Sequence, residues 1–545
     1  MAVYKSNQSN ETPICDTMER LGKFQRIQYV FSFVATLLVT ITHINYVFVA
    51  GELNYRCRVP ECDELNKEYS PIWWPNNTID KCLKPILRTD VGPTCNNDSF
   101  TDDYEDCKEW IYESNETVIA DLNLGCQPWK VNMIGTTHSI GLLLAMIVSG
   151  WLMDRFGRKP MFIFCLVGSC IGHLKAFTKN YYIYVLIELI EAVITGGAYT
   201  AVSVLMMEIG GKKTRLLAGV IFAFGIYMGE SVFAAMAFFV PYWKSLLKVI
   251  YTPPIFILSY VYFLKESPRW QIVNGKTDLA KETLLLISET NNVNINKDEL
   301  LSMSGEDLKK EFKIENCQQK ETFRDAMKSK EIVKRLVIGS YARFAACFVY
   351  YGLLINSVSL PGNKYTNFFL SSVMSYPGDI MALYLMNNVG RKITLVYGYI
   401  ICGLLCIASV CFPDDYTWVN TAFFLVSKMV VSGCFIGIVT YTIELYPTSV
   451  RGTLIGISAL TASIGNILAP LTPIMKTFSP ILTSLTFGGL SIVAGLLLTM
   501  TPETKDSALV DTVEQVDREI NLQESTKKEK MKGQINESYV SNEEV

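Results

Sequence analysis

The chain has 545 residues, of which 50% are hydrophobic and only 19% charged, with a formal net charge of −3. A mean hydropathy of +0.24 excludes an ordinary set of soluble domains and points to a membrane protein. No nucleic-acid partner is expected.

Residues 1–26 contain no apolar run with a cleavage-type end and read as a cytoplasmic N-terminus. A helix of about 20 apolar residues crosses roughly 30 Å of hydrocarbon. Twelve such runs follow, near 27–50, 131–153, 160–178, 182–206, 218–240, 245–264, 332–352, 367–386, 393–412, 418–440, 451–473 and 480–500. The expected fold is therefore all-α, with twelve transmembrane helices in two six-helix halves, 27–264 and 332–500. Lys and Arg collect in "DRFGRKP", "GGKKTR", the 265–331 segment and "NNVGRK", all on one side, which places that side and both termini in the cytoplasm.

The opposite face receives a large loop, 52–130, rich in Asp and Glu. Its Cys57, Cys62, Cys82, Cys95, Cys107 and Cys126 read as three disulfides among 15 possible pairings. Sequons at Asn76, Asn97 and Asn115 mark the same face for glycosylation. Residues 265–331 read as short amphipathic helices, and the 501–545 tail as disordered, being charged and poor in aromatics. The tail ends in "SNEEV", whose Val545 carboxylate and Glu543 fit a PDZ groove.

An internal repeat is visible. "DRFGRK" begins at Asp154 and "NNVGRK" at Asn387, an offset of 233. Glu208 and Arg215 are spaced by seven, as are Glu444 and Arg451, at an offset of 236. Glu266 and Glu503 close the two halves at an offset of 237. The charged turns are cytoplasmic stitches that read as a conformational latch: Gly150, Asp154, Arg155, Gly157, Arg158, Glu208, Arg215, Glu266 and Arg269 in one half, Gly390, Arg391, Glu444, Arg451 and Glu503 in the other. Gly157 and Gly390 let the backbone turn sharply, and the Arg and Lys side chains hold the loops at lipid headgroups.

These stretches ("GWLMDRFGRK", "MEIGGKKTR", "ESPRW", "IELYPTSVRG", "PETK") resemble the major facilitator superfamily. "CKEWIYESNETVIADLNLGCQPWK" and "YYGLLINSVSLPGN" resemble its organic cation, carnitine and organic anion transporter branch. The resemblance implies alternating access at the plasma membrane, with no covalent chemistry. It also places Tyr199, Tyr350 and Phe435 at cavity positions, and Ser463 at the position where cation transporters carry Asp and anion transporters Arg. Asn387 replaces a usual Asp, Glu188 stands where relatives carry Arg, and Arg343 where they carry an aromatic residue.

The residues themselves offer nothing catalytic and no metal or cofactor site: His43, His138 and His173 read as isolated helix-packing residues. His43 lies mid-span among Thr42, Asn45 and Tyr46. Charges inside the spans cost about 2.5 to 3.5 kcal/mol each and need a reason. The acids are Glu188, Glu191, Glu230 and Asp379, and the bases Arg343 and Lys428. This surplus of acid favours a cationic or zwitterionic substrate, held by cation–π contact with aromatic rings. Glu230, about 18 Å into its helix, is the first choice for substrate contact. For a cation, membrane voltage alone supplies about 2.3 kcal/mol per 100 mV, with Glu230, Asp379 and His43 as titrating groups should a proton be coupled. Alternatives are an organic anion or sugar transporter of the same superfamily, or a non-transporting sensor.

Overall fold

The computed structural model describes residues 21–63, 68–74, 81–88, 95–96, 99–253, 260–293, 295–312, 323–411, 417–505, 512–516 and 518. Most of them are helical. The labelled helices are α1 (Lys23–His43), α2 (Pro128–Phe156), α3 (Arg158–Gly168), α4 (Tyr181–Thr195), α5 (Gly197–Ile209), α6 (Gly211–Phe239), α7 (Trp243–Tyr251), α8 (Thr277–Asn291), α9 (Lys330–Asn356), α10 (Lys364–Val373), α11 (Ser375–Asn388), α12 (Arg391–Ala408), α13 (Thr417–Leu445), α14 (Arg451–Leu468) and α15 (Pro480–Leu498).

Among the described residues, ten stretches are long and apolar enough to cross a membrane, against twelve expected. The sixth expected run includes residues 254–259, which lie outside the described set. The eighth is divided between α10 and α11 at Met374. Pro377 accounts for the break, because it has no N–H to donate to the carbonyl four residues earlier. The third run changes geometry midway: α3 gives way to a tighter 3₁₀ segment, Ser169–Phe177. Helix starts follow local chemistry, with Pro128 and Pro480 in the first turns of α2 and α15 and the Asn180 side chain accepting from the Tyr182 N–H.

The described chain separates into two compact units. The first comprises Met1–Glu315, Leu354–Val373 and Pro470–Phe478; the second comprises Asn316–Leu353, Met374–Ala469 and Ser479–Val545. The first unit packs Phe162, Val202, Leu205 and Ile209 with Leu284 and Ile287 of α8. The second packs Tyr399, Tyr441, Leu445 and Leu498, and buries Val513 and Val516 of the tail against them. Most of the expected disordered tail, and the C-terminal Val545, lie outside the described residues. Large apolar side chains such as Trp151, Leu186, Phe239, Tyr384 and Leu404 are exposed, as helices bathed in lipid require.

The cysteine-rich segment holds two antiparallel pairs, β1 (Tyr55–Cys57) with β4 (Trp110–Tyr112) and β2 (Leu83–Leu87) with β3 (Phe100–Asp106). Its disulfides are Cys57–Cys107, Cys62–Cys95 and Cys82–Cys126. That resolves the connectivity among the alternatives. Asn115 is exposed, whereas Asn76 and Asn97 lie outside the described residues.

Candidate functional site

The first unit contains a buried ionic network. Lys175, in the 3₁₀ segment, donates to Glu188 Oε2 at 2.8 Å, Glu191 Oε2 at 3.2 Å and the Tyr251 hydroxyl at 2.8 Å. All three charged residues have 0% exposure. Tyr251 also accepts from Asn45 Nδ2 at 2.9 Å, and its ring centroid lies 4.9 Å from the Lys175 ammonium. Gly172 makes this possible: a Cβ there would collide with the Tyr251 ring. On the other side of Glu188, Oε1 meets His138 Nδ1 at 2.8 Å, and His138 Nε2 meets His43 Nδ1 at 3.1 Å. The His43 ring lies 5.1 Å from that of Tyr199, whose hydroxyl donates to Thr40 at 2.9 Å. Glu230 is buried and close enough to Tyr199 to act on it electrostatically.

Two expectations change here. His43 and His138 are not isolated packing residues; they form a chain to Glu188. Lys175 lies within the third apolar run, 160–178, and compensates Glu188 and Glu191. Adding the fully buried Lys175 to the charges counted above gives four acids against three bases, and that surplus falls from two to one; Lys248, Lys334, Arg335 and Arg451, at the ends of their runs, are not in this count. Ligand atoms of His138, Glu188 and Glu191 fall within 4.8 Å of one another, a spacing a metal tolerates. The Lys175 ammonium already bonds both carboxylates in that space.

The second unit brings Arg343, Phe435 and Ser463 to one cleft of about 190 Å³, together with Cys347, Tyr351 and Asn466. The Tyr350 ring stacks on Phe435 with centroids 5.3 Å apart. Lys428 is fully buried beneath it, 3.0 Å from the ring centroid, and donates to the Tyr350 carbonyl at 3.2 Å. Asp379 follows the helix break and accepts from Ser432 Oγ at 2.8 Å. Arg343 Nη1 is buried without a hydrogen-bond partner among the described residues.

The repeated charged turns fold alike. In the first unit Arg158 pairs with Glu208 at 3.1 Å and Asp154 at 3.3 Å, and donates to the Met153 carbonyl. In the second, Arg391 pairs with Glu444 at 3.3 Å and donates to the Met386 carbonyl. Glu266 accepts from the Lys159 N–H, and Glu503 from those of Arg391 and Lys392. Gly157 and Gly390 have φ of +112° and +140°, and a Cβ on either would strike the Glu266 or Glu503 carboxylate. The partner found for Glu208 is Arg158, and the Arg215 side chain lies outside the described set. Arg451 donates to the Tyr446 carbonyl at 3.1 Å. Arg155 lies over the Trp151 ring, Gly150 has open space beside it, and Arg269 is half-buried.

Burial pushes the Glu266 carboxyl above its ordinary value, outweighing the N–H groups of Ser267 and Lys159 that favour its charged form. Glu503 is pushed the same way by burial, but the N–H groups of Lys505, Arg391, Lys392 and Thr504 outweigh it and hold the carboxyl below its ordinary value.

Helices of membrane-crossing length, buried ionic networks inside them and twin charged turns define a membrane transport protein. The sugar (and other) transporter family profile matches residues 104–515, the greater part of the chain, and the protein belongs to that family. Among solved structures, the partially occluded inward-open xylose transporter XylE from E. coli aligns with a TM-score of 0.60 at 14% identity, covering 89% of this chain and 100% of that one. The fold is that of the major facilitator superfamily. Among curated relatives, the organic cation transporter protein of Drosophila melanogaster is 27% identical, covering 92% of this chain and 93% of its own. Human solute carrier family 22 member 2 is 26% identical, covering 95% and 97%. Human organic cation/carnitine transporter 2 is also 26% identical, covering 91% and 92%.

Proposed function

We propose that the protein is a polyspecific secondary transporter that moves small organic cations and zwitterions across the plasma membrane by alternating access. The observation that carries this reading is similarity, over more than nine-tenths of the chain, to proteins named as organic cation and carnitine transporters. The side chains are compatible with it. In the first unit, Tyr199 and Glu230 supply a ring face and a carboxylate for an ammonium group. In the second, Tyr350 and Phe435 form an aromatic wall, and Arg343 beside Ser463 offers a guanidinium to a carboxylate. Asp379 and Lys428 border the same region as a carboxylate and a buried ammonium. His43 adjoins Tyr199.

The remaining assignments follow from that reading. Twelve crossing helices with cytoplasmic termini, the N-terminal and C-terminal six-helix halves, a glycosylated outer loop carrying Asn115, and a PDZ-binding tail are proposed. The Arg158–Glu208–Glu266 and Arg391–Glu444–Glu503 clusters act as the conformational latch, breaking and remaking as access alternates.

Uptake of a labelled panel (a quaternary ammonium, a biogenic amine, carnitine and an organic anion) into cells expressing the protein tests the function. Cation or zwitterion uptake is expected, reduced at least tenfold by Glu230→Gln, with carnitine-type substrates alone losing uptake in Arg343→Gln. Anion uptake without cation uptake overturns the reading, and binding without uptake identifies a sensor instead.

A further inference from the structure

The buried network in the first unit lacks one positive charge. Glu188 and Glu191 contribute two negative charges and Lys175 one positive, all at 0% exposure. With both carboxylates ionised and both imidazoles neutral, the sum is −1. An uncompensated charge in a low-dielectric interior is costly by several kcal/mol, so the network is completed by binding one cation.

The hydrogen bonds show where a proton goes. Glu188 Oε1 is a carboxylate acceptor, so His138 Nδ1 carries a hydrogen and donates to it across 2.8 Å. In the neutral ring His138 Nε2 is then an acceptor, and the hydrogen across the 3.1 Å gap to His43 belongs to His43 Nδ1. That leaves His43 Nε2 as a bare lone pair, buried and without a hydrogen-bond partner among the described residues. A proton from hydronium forms one N–H bond at Nε2, releases water and leaves the rest of the chain intact. The network is then neutral.

His43 also touches the proposed ammonium position. Its ring lies 5.1 Å from Tyr199, tilted by 31°. The other ionisable groups facing this pair are His138, Glu188 and Lys175, with Tyr46 against His138 and Glu230 on the far side of Tyr199. An ammonium over Tyr199 and an imidazolium at His43 would be neighbouring like charges in a medium where repulsion is strong. Both are drawn by the same carboxylates, and each expels the other.

We propose that the His43–His138 pair is a proton-binding site that makes transport an exchange of one proton for one organic cation. The direction of coupling rests on reading Tyr199 and Glu230 as substrate contacts. The full chain, reconstituted in vesicles with voltage clamped at zero, is given a labelled quaternary ammonium, whose charge does not change with pH. A lumen one pH unit more acidic than the bath should drive accumulation of up to about tenfold, abolished by a protonophore. The ratio of uptake with and without the gradient should fall to about one in His43→Gln and His138→Gln, a ratio independent of how much protein folds. Wild-type uptake that ignores the gradient, or variants that keep its full effect, overturns the exchange. No uptake by wild type under any gradient refutes the transport reading instead. The proton site is then decided without substrate, from the apparent unfolding midpoint of wild type minus that of His43→Gln between about pH 5.5 and 8. A difference that varies with pH supports the site, and a constant offset overturns it.

Discussion

Glu266 and Glu503 occupy equivalent places in the repeat, yet their surroundings push them in opposite directions. Glu503 is held below the ordinary carboxylate value, so its charged form favours the fold; that contribution is present above the unfolded value and lost as pH falls through the folded one. Glu266 is raised, so its contribution is present below the unfolded value and lost as pH rises through the folded one. Unfolding midpoints measured from neutral to mildly acid pH should show Glu503→Gln flattening the acid-side loss of stability and Glu266→Gln steepening it. At neutral pH Glu503→Gln should be the costlier change, by about 1 to 3 kcal/mol, since it weakens charge-assisted hydrogen bonds. Gly157→Ala and Gly390→Ala should each cost at least about 1 to 2 kcal/mol, because each combines a left-handed backbone with a carboxylate in the path of the new methyl. Both glycines and both acids were legible in the sequence through the repeat. Lys175 was not: it lies near the end of an apolar run, where a lysine usually reaches for the headgroups, and only the packing of Tyr251 and the two acids turns it inward.

The same contrast between pattern and packing holds for whole elements. Hydropathy located the long spans because burial in lipid demands continuous apolar helix, and it placed six cysteines in one loop. It did not reveal their pairing, which joins cysteines 33 to 50 residues apart and depends on β1 meeting β4 and β2 meeting β3. Nor did it show that the third span tightens into a 3₁₀ segment, although "GSCIGHLKAF" contains the glycine that Tyr251 requires. The division between α10 and α11 was signalled by Pro377, two residues before the buried Asp379. Proline inside a helix costs about 3 kcal/mol. Pro377→Ala should therefore raise the apparent unfolding midpoint of the purified protein while lowering substrate uptake severalfold, since a continuous helix would shift Asp379 away from Ser432. A rise in midpoint with unchanged uptake would show that the break is only tolerated, not used.

For the whole molecule, the charge count separates two kinds of carrier. A surplus of two acids, as read from the sequence, describes a permanently negative path that admits cations and lets voltage pull them through. Lys175 reduces that surplus to one and places the remainder in a network that one proton neutralises. A uniporter carries the substrate's charge across the membrane, so 100 mV is worth about 2.3 kcal/mol, or roughly 40-fold accumulation. An exchange of one proton for one monovalent cation moves no net charge, and the same voltage does nothing to its equilibrium. Vesicles holding the protein, with equal pH on both sides and a potassium diffusion potential of about −100 mV inside, should accumulate a quaternary ammonium no further than vesicles at zero voltage. His138→Gln should restore voltage sensitivity if the variant still carries substrate, because a network that cannot take up the proton returns the substrate's charge uncompensated. Strong voltage-driven accumulation by the wild type would mean that the negative charge beside Lys175 stays fixed through the cycle, and that the two histidines serve packing alone.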